Sequence, residues 1–461
     1  MALGRQEDSV RERIVSALRS QQADYIEVRL EESESTQVRF RGHELEEAGR
    51  TRALGGSVRA LVRGGWGFAS FNDVERLPVY VEQAVHQARL AVREPLALPS
   101  VPVVEDVVRA TAARDVRGVS LDDKVRLLGE YNELMWATAP LQTTAVRYSD
   151  LVRRTTFASS EGSYIEQESL DLAATFVAVA RKGNEVEQGF VSTGSRGDMK
   201  VLEGLHGEVA AAARRAESLL SAARIKGGVY TVLVDPKLAG VFVHEAFGHL
   251  SEADHVYENP RLREIMVLGR RFAGPHLNIA DGAAVPGRRG SYAYDSEGVP
   301  AQKTYLIREG VLVGRLHSRE TAARMGEAPT GNARAISYRY PPIVRMTNTF
   351  IEPGQATFED LLSGVKEGVY VKGSFGGETS MEMFTFSAGE AFMMRDGKLA
   401  EPLRGVNLTG NVFQTLANIE GIGNDQAWSE GGGCGKGEQS PLPVSMGSPH
   451  LLIHDVVIGG E

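Results

Sequence analysis

The chain has very little cysteine: Cys434 is the only one among 461 residues, which excludes an intramolecular disulfide. Long hydrophobic runs are also missing, since no segment approaches the roughly 20 apolar residues of a membrane-spanning helix. The first residues, MALGRQEDSVRERIV, contain no apolar signal-peptide core. We therefore expect a protein of a reducing, cytoplasmic compartment with no membrane partner.

A concentrated basic face is absent too. The 51 Lys and Arg residues are outnumbered by 60 Asp and Glu, for a net charge of −9. General nucleic-acid binding normally requires a clustered positive patch, so we expect no nucleic-acid partner. What remains is an ordinary globular composition, with 42% hydrophobic and 24% charged residues. The length suggests two or three domains of about 100–200 residues each.

The pattern along the chain predicts an α+β fold with two parts. Helical spacing of apolar residues alternates with strand-like runs up to a KGG break at 226–228. This predicts an N-terminal α/β-sandwich-like domain with antiparallel strands over 1–226. The remainder, 227–461, predicts a β-rich domain that carries one buried helix, with FEDLLSGV as the only later helix. The helices expected before the break cover residues 8–20, 74–92, 120–137 and 207–224.

The most informative stretch is VHEAFGHLSEAD, residues 243–254. Zinc peptidases commonly carry H-E-x-x-H on a helix, but here His244 and His249 are five residues apart. In a regular α-helix this spacing leaves the two imidazoles about 140° apart around the axis. A single-turn π-bulge, favoured by the flexible Gly248, returns them toward one face. Because Asp235-Pro236 is a typical helix start, the sequence predicts a widened helix over KLAGVFVHEAFGHLSEAD.

The residue types point to metal chemistry. Two neutral imidazoles are ordinary zinc ligands, and Glu245 lies beside the first, where it can take a proton from a water that the metal activates. A catalytic site needs a third protein ligand. From the residues alone, Cys434 in its glycine-rich loop and a nearby acid are comparable choices. Such spacing more often arises by coincidence at the end of a helix. Against that explanation, the apolar strand VYTVLVDP, the cap at Asp235 and the flexible Gly248 occur together here. The candidates for the third ligand are Glu252, Asp254, His255, Glu258 and Cys434.

Taken together, the motifs resemble the TldD/PmbA family, specifically a TldD-like metallopeptidase subunit. The resemblance rests on HEAFGHLSEAD (244–254), DSEGVPAQKTYLIREGVL (295–312), TGNAR (330–334), GGETSMEMFTFSAGEAFMMRDGKL and CGKGEQSPLPVSMGSP (434–449), and it covers essentially the whole chain. It implies that His244, His249 and Cys434 bind zinc and that Glu245 is the general base. It also implies cleavage of small, unstructured peptides by a dimer, either a homodimer or a heterodimer with a metal-free PmbA/TldE-like subunit. Iron remains an alternative to zinc, because such a ligand set suits several ions.

Four further residues are weaker candidates for substrate binding: His255, Tyr292, Gly376 and Gly377. His255 can orient a ligand or stabilise an oxyanion. Tyr292, with Tyr294 and Asp295, can line a cleft or simply pack. The glycine pair lies in GSFGGETS (373–380), which predicts either a sheet edge that accepts an extended peptide or a flexible turn.

Two other functions stay open from the sequence. One is a non-catalytic peptide-binding or partner subunit with a structural metal or none, although a structural site has no use for Glu245. The other is metal-dependent hydrolysis of a different amide or an ester.

Overall fold

The computed structural model describes residues 2–459, with side chains from residue 10 onward. The α-helices are α1 (Ala2–Leu18), α2 (Leu77–Leu90), α3 (Leu121–Thr138), α4 (His206–Leu219), α5 (Pro236–Val243), α6 (Ala253–Glu258), α7 (Pro260–Ile265), α8 (Arg319–Met325), α9 (Phe358–Ser363) and α10 (Val412–Ala417). The strands are β1 (Tyr25–Arg41), β2 (Glu44–Val62), β3 (Gly65–Phe71), β4 (Glu105–Val108), β5 (Thr143–Ser159), β6 (Tyr164–Lys182), β7 (Glu185–Ser195), β8 (Ala223–Arg224), β9 (Gly228–Val234), β10 (Ile279–Gly282), β11 (Lys303–Arg308), β12 (Val311–Leu312), β13 (Ala333–Arg334), β14 (Ile343–Val344), β15 (Asn348–Ile351), β16 (Glu367–Ser380), β17 (Met383–Arg395), β18 (Lys398–Arg404), β19 (Asn407–Asn411), β20 (Ile419–Ile422), β21 (Ala427–Ser429), β22 (Gly433–Lys436), β23 (Gln439–Pro443), β24 (Ser445–Ser448) and β25 (Leu451–Gly459).

The N-terminal half forms one seven-stranded sheet, in the order β3-β2-β1-β5-β6-β4 with β7 beside β6. All pairs are antiparallel except β4 with β6. From Leu170 to Ala180 every second residue of β6 is buried, including Leu172, Ala174 and Phe176, because that face packs against α3 and α4. The antiparallel meander predicted from alternating residues is therefore confirmed.

The C-terminal half contains two larger sheets with α5 between them. One has six strands in the order β12-β11-β10-β15-β24-β21, and the other has eight and includes β16, β9 and β25. Helix α5 packs against β15, β21 and β24 on one side and β16 on the other. The α+β fold class predicted from the sequence is confirmed by this arrangement.

Two details of the predicted secondary structure are wrong. Within the described residues, three helices follow residue 265, not one, because α8 and α10 accompany α9. Ser318 and Asn411 cap these short helices, but six or seven residues contain too few turns for a periodic pattern. The helix predicted over 237–254 is also interrupted at Glu252, whose extended ψ of 117° separates the preceding turns from α6. None of the helices within residues 2–459 combines the length and apolar character needed to cross a bilayer.

Candidate metal centre

Helix α5 begins where the sequence predicts and delivers the HEAFGH segment into the core. The Asp235 side chain accepts a hydrogen bond from the Leu238 N–H at 2.9 Å, and Pro236 occupies the first turn. The helix ends at Val243, and the five residues His244–Gly248 form a π-helical turn. The widened helix predicted from the five-residue spacing is thus confirmed.

The π turn brings the two histidines together. Their ring centroids lie 5.4 Å apart, with the ring planes at 77°. Gly248 has a packing role here, since a Cβ atom at this position would lie 2.0 Å from the sulfur of the buried Met346. A larger residue would displace either Met346 or the turn that aligns His244 with His249.

Cys434 reaches the same place from a distant hairpin. It lies on β22, which pairs with β23, and the register shifts between Cys434 and Lys436. Such a bulge redirects a side chain, and the Cys434 sulfur lies 3.5 Å from His249 Nε2. The ligand atoms of His244, His249 and Cys434 all lie within 4.8 Å of one another.

These three residues fit a metal ion. A tetrahedral zinc with bonds of about 2.0–2.3 Å holds its ligand atoms roughly 3.3–3.6 Å apart, which small side-chain adjustments achieve here. The Nε2 atom of His244 is buried and has no hydrogen-bond partner within the described part of the chain. A buried ring nitrogen without a partner is costly unless it binds something, and a metal ion meets that need.

The electrostatics of the cluster favour a cation. Burial raises the pKa of the Cys434 thiol, but His244 and His249 outweigh burial and lower it from 9.0 to about 4. Burial lowers the pKa of His249, while Glu252 and then Cys434 raise it to about 10. The Cys434 thiolate and the Glu252 carboxylate stabilise a proton on His249 in the absence of metal. The same negative charges favour a metal cation in place of that proton.

The Nδ1 atom of each histidine, on the side of the ring away from the cluster, contacts a supporting residue. Glu252 is fully buried, and its Oε2 lies 3.0 Å from His249 Nδ1, as in the carboxylate–histidine–metal arrangement. Burial raises the pKa of Glu252, but Lys436 and His249 lower it to about 2, so it is an anion. Of the other acids considered from the sequence, Asp254 pairs with Lys436 at 2.6 Å.

His244 has a second supporting chain that the sequence analysis did not identify. Its Nδ1 lies 3.5 Å from the Thr349 hydroxyl, which donates to Asp281 at 2.8 Å. Asp281 is fully buried and also accepts from Thr347 and Asn332. TGNAR, which includes Asn332, was noted as a motif, but no local pattern marked Asp281 or Thr349.

Replacing Glu252 by glutamine is expected to weaken metal binding by about 10–100-fold, because the amide no longer presents a negative charge to the His249 Nδ1–H. A competition titration against a chromophoric chelator measures the change. Glu258→Gln is the matched control, since Glu258 lines the adjoining pocket but makes no ion pair with a histidine of the cluster. Wild-type affinity in Glu252→Gln would contradict the orienting role.

One member of the cluster, His249, lines a pocket with a cavity volume of about 840 Å³. Glu245, His249 and His255 line it, and Glu245 Oε2 lies 3.7 Å from His249 Nε2. Gly377 lines the same pocket, and Gly376 precedes it on β16. This volume is in the range of ligand-binding clefts.

Tyr292 lies elsewhere. With Tyr294 and Asp295 it lines a separate cavity of about 290 Å³ between the seven-stranded sheet and the loops that follow β10. Its hydroxyl donates to the Gly331 carbonyl at 2.8 Å. The structure therefore does not bring Tyr292 into the pocket beside the histidines. The β22–β23 hairpin contributes to both cavities, with Leu442 lining the one beside Tyr292 and Lys436 the one beside His249.

Comparison with known proteins covers nearly the whole chain. Residues 26–88 match the PmbA/TldA metallopeptidase domain 1, residues 114–220 the central domain and residues 227–460 the C-terminal domain. The motif-based resemblance is thereby confirmed.

Relatives of similar length support the same assignment. A metalloprotease from Synechocystis sp. is 52% identical over 442 residues, covering 95% of this chain and 96% of its own. A zinc metalloprotease TldD homolog from Saccharolobus solfataricus is 30% identical, covering 88% of this chain and 90% of its own. The crystal structure of TldE from Thermococcus kodakarensis has the same fold, with a TM-score of 0.74 at 21% identity over 98% of this chain and 100% of its own. The chain belongs to the PmbA/TldA metallopeptidase family.

Proposed function

We propose that the chain is a zinc-dependent metallopeptidase that cleaves small, unstructured peptides. In this proposal His244, His249 and Cys434 hold the metal, and Glu245 is the general base. The observation that carries it is the convergence of the three ligand atoms within 4.8 Å, with His249 in the wall of a pocket that Glu245 also lines. A closed structural site would need neither the pocket nor the Glu245 carboxylate beside His249.

The roles follow from the positions of the side chains. His244, His249 and Cys434 would hold a zinc ion, which would supply a Lewis acid for the scissile carbonyl and would lower the pKa of the attacking water. Glu245 then takes the proton from the attacking water and returns it to the leaving amine. Glu252 keeps the His249 ring oriented by accepting from Nδ1 at 3.0 Å.

Strand β16 offers a way to bind a peptide main chain. Its first part lies between β17 and β9, but the β9 pairing covers only Val369–Val371. From Ser374 to Ser380 the strand pairs with β17 alone, so its other edge is open. Because Gly377 lines the pocket beside His249, an extended peptide added to this edge would pass the proposed metal site. Recognition of the main chain suits substrates without fixed structure.

We also propose that the chain works as a dimer, either with a second copy or with a metal-free PmbA/TldE-like subunit. Membership of the family and the fold shared with TldE support this assembly. In this proposal the part before residue 227 serves dimerisation and encloses the substrate, so that folded proteins are excluded. Light scattering of the purified chain, alone and mixed with such a partner, distinguishes the two assemblies.

Removal of the metal tests the proposal directly. Treatment with a chelator, followed by its removal, is expected to abolish cleavage of an unstructured fluorogenic peptide, and one equivalent of Zn²⁺ is expected to restore it. Fe²⁺ added without oxygen to the same stripped chain identifies the better metal. Metal-independent cleavage, or a metal-loaded chain that binds the peptide without cutting it, would contradict the proposal. The second result would favour a peptide-binding subunit.

A further inference from the structure

Arg345 is a fully buried guanidinium behind the candidate metal centre. It lies between β14 and β15, with no solvent exposure. Within the described residues no carboxylate forms an ion pair with it, and its Nε has no hydrogen-bond partner. Burying a charged group without a counter-ion is costly, so Arg345 must make strong compensating contacts.

Those contacts are to the hairpin that carries Cys434. Arg345 Nη2 donates to the carbonyl of Cys434 itself at 2.6 Å, and Nη1 donates to the carbonyl of Gln439 at 2.9 Å. The first carbonyl belongs to β22 and the second to β23. One planar guanidinium therefore fastens both strands across the bulge that redirects Cys434.

The same arginine is connected to the histidine side of the cluster. Its main-chain N–H donates to the Asn332 carbonyl at 2.9 Å, and the Asn332 amide donates to the Arg345 carbonyl and to Asp281, each at 3.0 Å. Asp281 accepts from Thr349, whose hydroxyl lies 3.5 Å from His244 Nδ1. A continuous buried network thus joins His244 to the hairpin of Cys434, although the two ligands are 190 residues apart in sequence.

We propose that Arg345 is a positioning residue that places Cys434 as the third ligand of the metal. The inference rests on the proposed metal-binding role of Cys434. Arg345 does not touch substrate; it acts through the main chain of the hairpin. Lys436 adds a second anchor, donating to the Val344 carbonyl at 3.0 Å, but it holds only the β22 strand.

The single cysteine allows a test that is independent of catalysis. Cys434 is 2% exposed, so a thiol reagent such as Ellman's reagent reaches it in the metal-free chain only when the hairpin opens. Loss of two hydrogen bonds from a charged donor in Arg345→Met is expected to accelerate this reaction about tenfold or more. Arg345→Lys keeps the charge but not the two-pronged geometry, so an intermediate acceleration is expected.

The cobalt-loaded chain supplies a spectroscopic readout. Wild-type chain with one Co²⁺ is expected to show the near-ultraviolet thiolate-to-cobalt charge-transfer band. Arg345→Met is expected to lose most of this band, and Arg345→Lys to retain part of it. Arg319→Met is the matched control, because Arg319 is likewise buried, with 1% exposure, but pairs with Glu161, away from the cluster. Its labelling rate and its band are expected to equal those of wild type.

These measurements separate the inference from the proposed function. Wild-type labelling and a wild-type band in Arg345→Met would overturn the positioning role, as would equal changes in Arg319→Met. If Arg345→Met does not fold, Arg345→Lys decides, and wild-type behaviour of that variant overturns the role. A wild-type chain that shows the thiolate band but cuts no peptide would contradict the proposed peptidase activity and leave the Arg345 inference intact.

Discussion

Replacing Glu245 by glutamine is expected to lower kcat for peptide cleavage by about 10²–10⁴-fold, the usual contribution of a general base. Glutamine has the same size but cannot take a proton from the attacking water. The metal content is expected to stay at the wild-type level, because Glu245 is not one of the three residues whose ligand atoms converge. Initial rates on a fluorogenic peptide, with metal analysis of the same sample, measure both quantities.

The control for Glu245 is Glu258→Gln. Both carboxylates line the same pocket, but only Glu245 lies beside a histidine of the cluster, with Oε2 3.7 Å from His249 Nε2. If Glu258→Gln lost activity to the same extent, the effect would reflect the charge of the pocket and not a base at one position. A Glu245→Gln chain with full metal and wild-type kcat would exclude Glu245 as the base.

Replacing a single metal ligand is expected to have a comparably large effect on the zinc content of the chain. Wild-type chain is expected to hold one equivalent of zinc, and both Cys434→Ala and His249→Ala are expected to purify without it. The loss of affinity should exceed the roughly 10–100-fold that follows removal of an orienting partner, because a direct bond is removed. Metal analysis per chain, after purification without chelators, is the measurement.

His454→Ala is the control for the ligand substitutions. His454 is half-exposed, pairs with Glu420 and lies outside the cluster, so its removal should leave the zinc content unchanged. Zinc retained in Cys434→Ala with loss in His249→Ala would mean that another group supplies the third bond. A metal-free wild type would remove the basis of the peptidase proposal and favour a binding subunit.

The widened turn at His244–Gly248 shows how far local reasoning reaches. The angle between residues five apart follows from helix geometry, so two histidines that must share an ion require a π turn, and the structure contains it. The cap at Asp235 and the alternating strands of the N-terminal sheet are also local properties, and they were predicted for the same reason. Composition and motif order sufficed for the family and the α+β class.

The short helices and the supporting residues show where local reasoning ends. α8 and α10 have seven and six residues, too few for a period to stand out, so only their caps mark them. The sequence weighed Glu252 as a possible third ligand, but the structure places its carboxylate on the far ring nitrogen of His249. Spacing along a chain does not say which side of an imidazole a neighbour approaches.

The amino-acid sequence alone therefore settles the features that depend on nearest neighbours: the start of α5, the π turn, the strand pattern of the N-terminal sheet and the set of groups able to bind a metal. It left Cys434 and a nearby acid as equal candidates on chemical grounds. The choice among ligands and their partners depends on packing, because Cys434, Asp281 and Arg345 approach the histidines from strands and hairpins far away in sequence. Chain folding places Cys434 beside His249 and connects Asp281 to His244 through Thr349, while Arg345 holds the Cys434 carbonyl. Burial then strengthens each of these contacts.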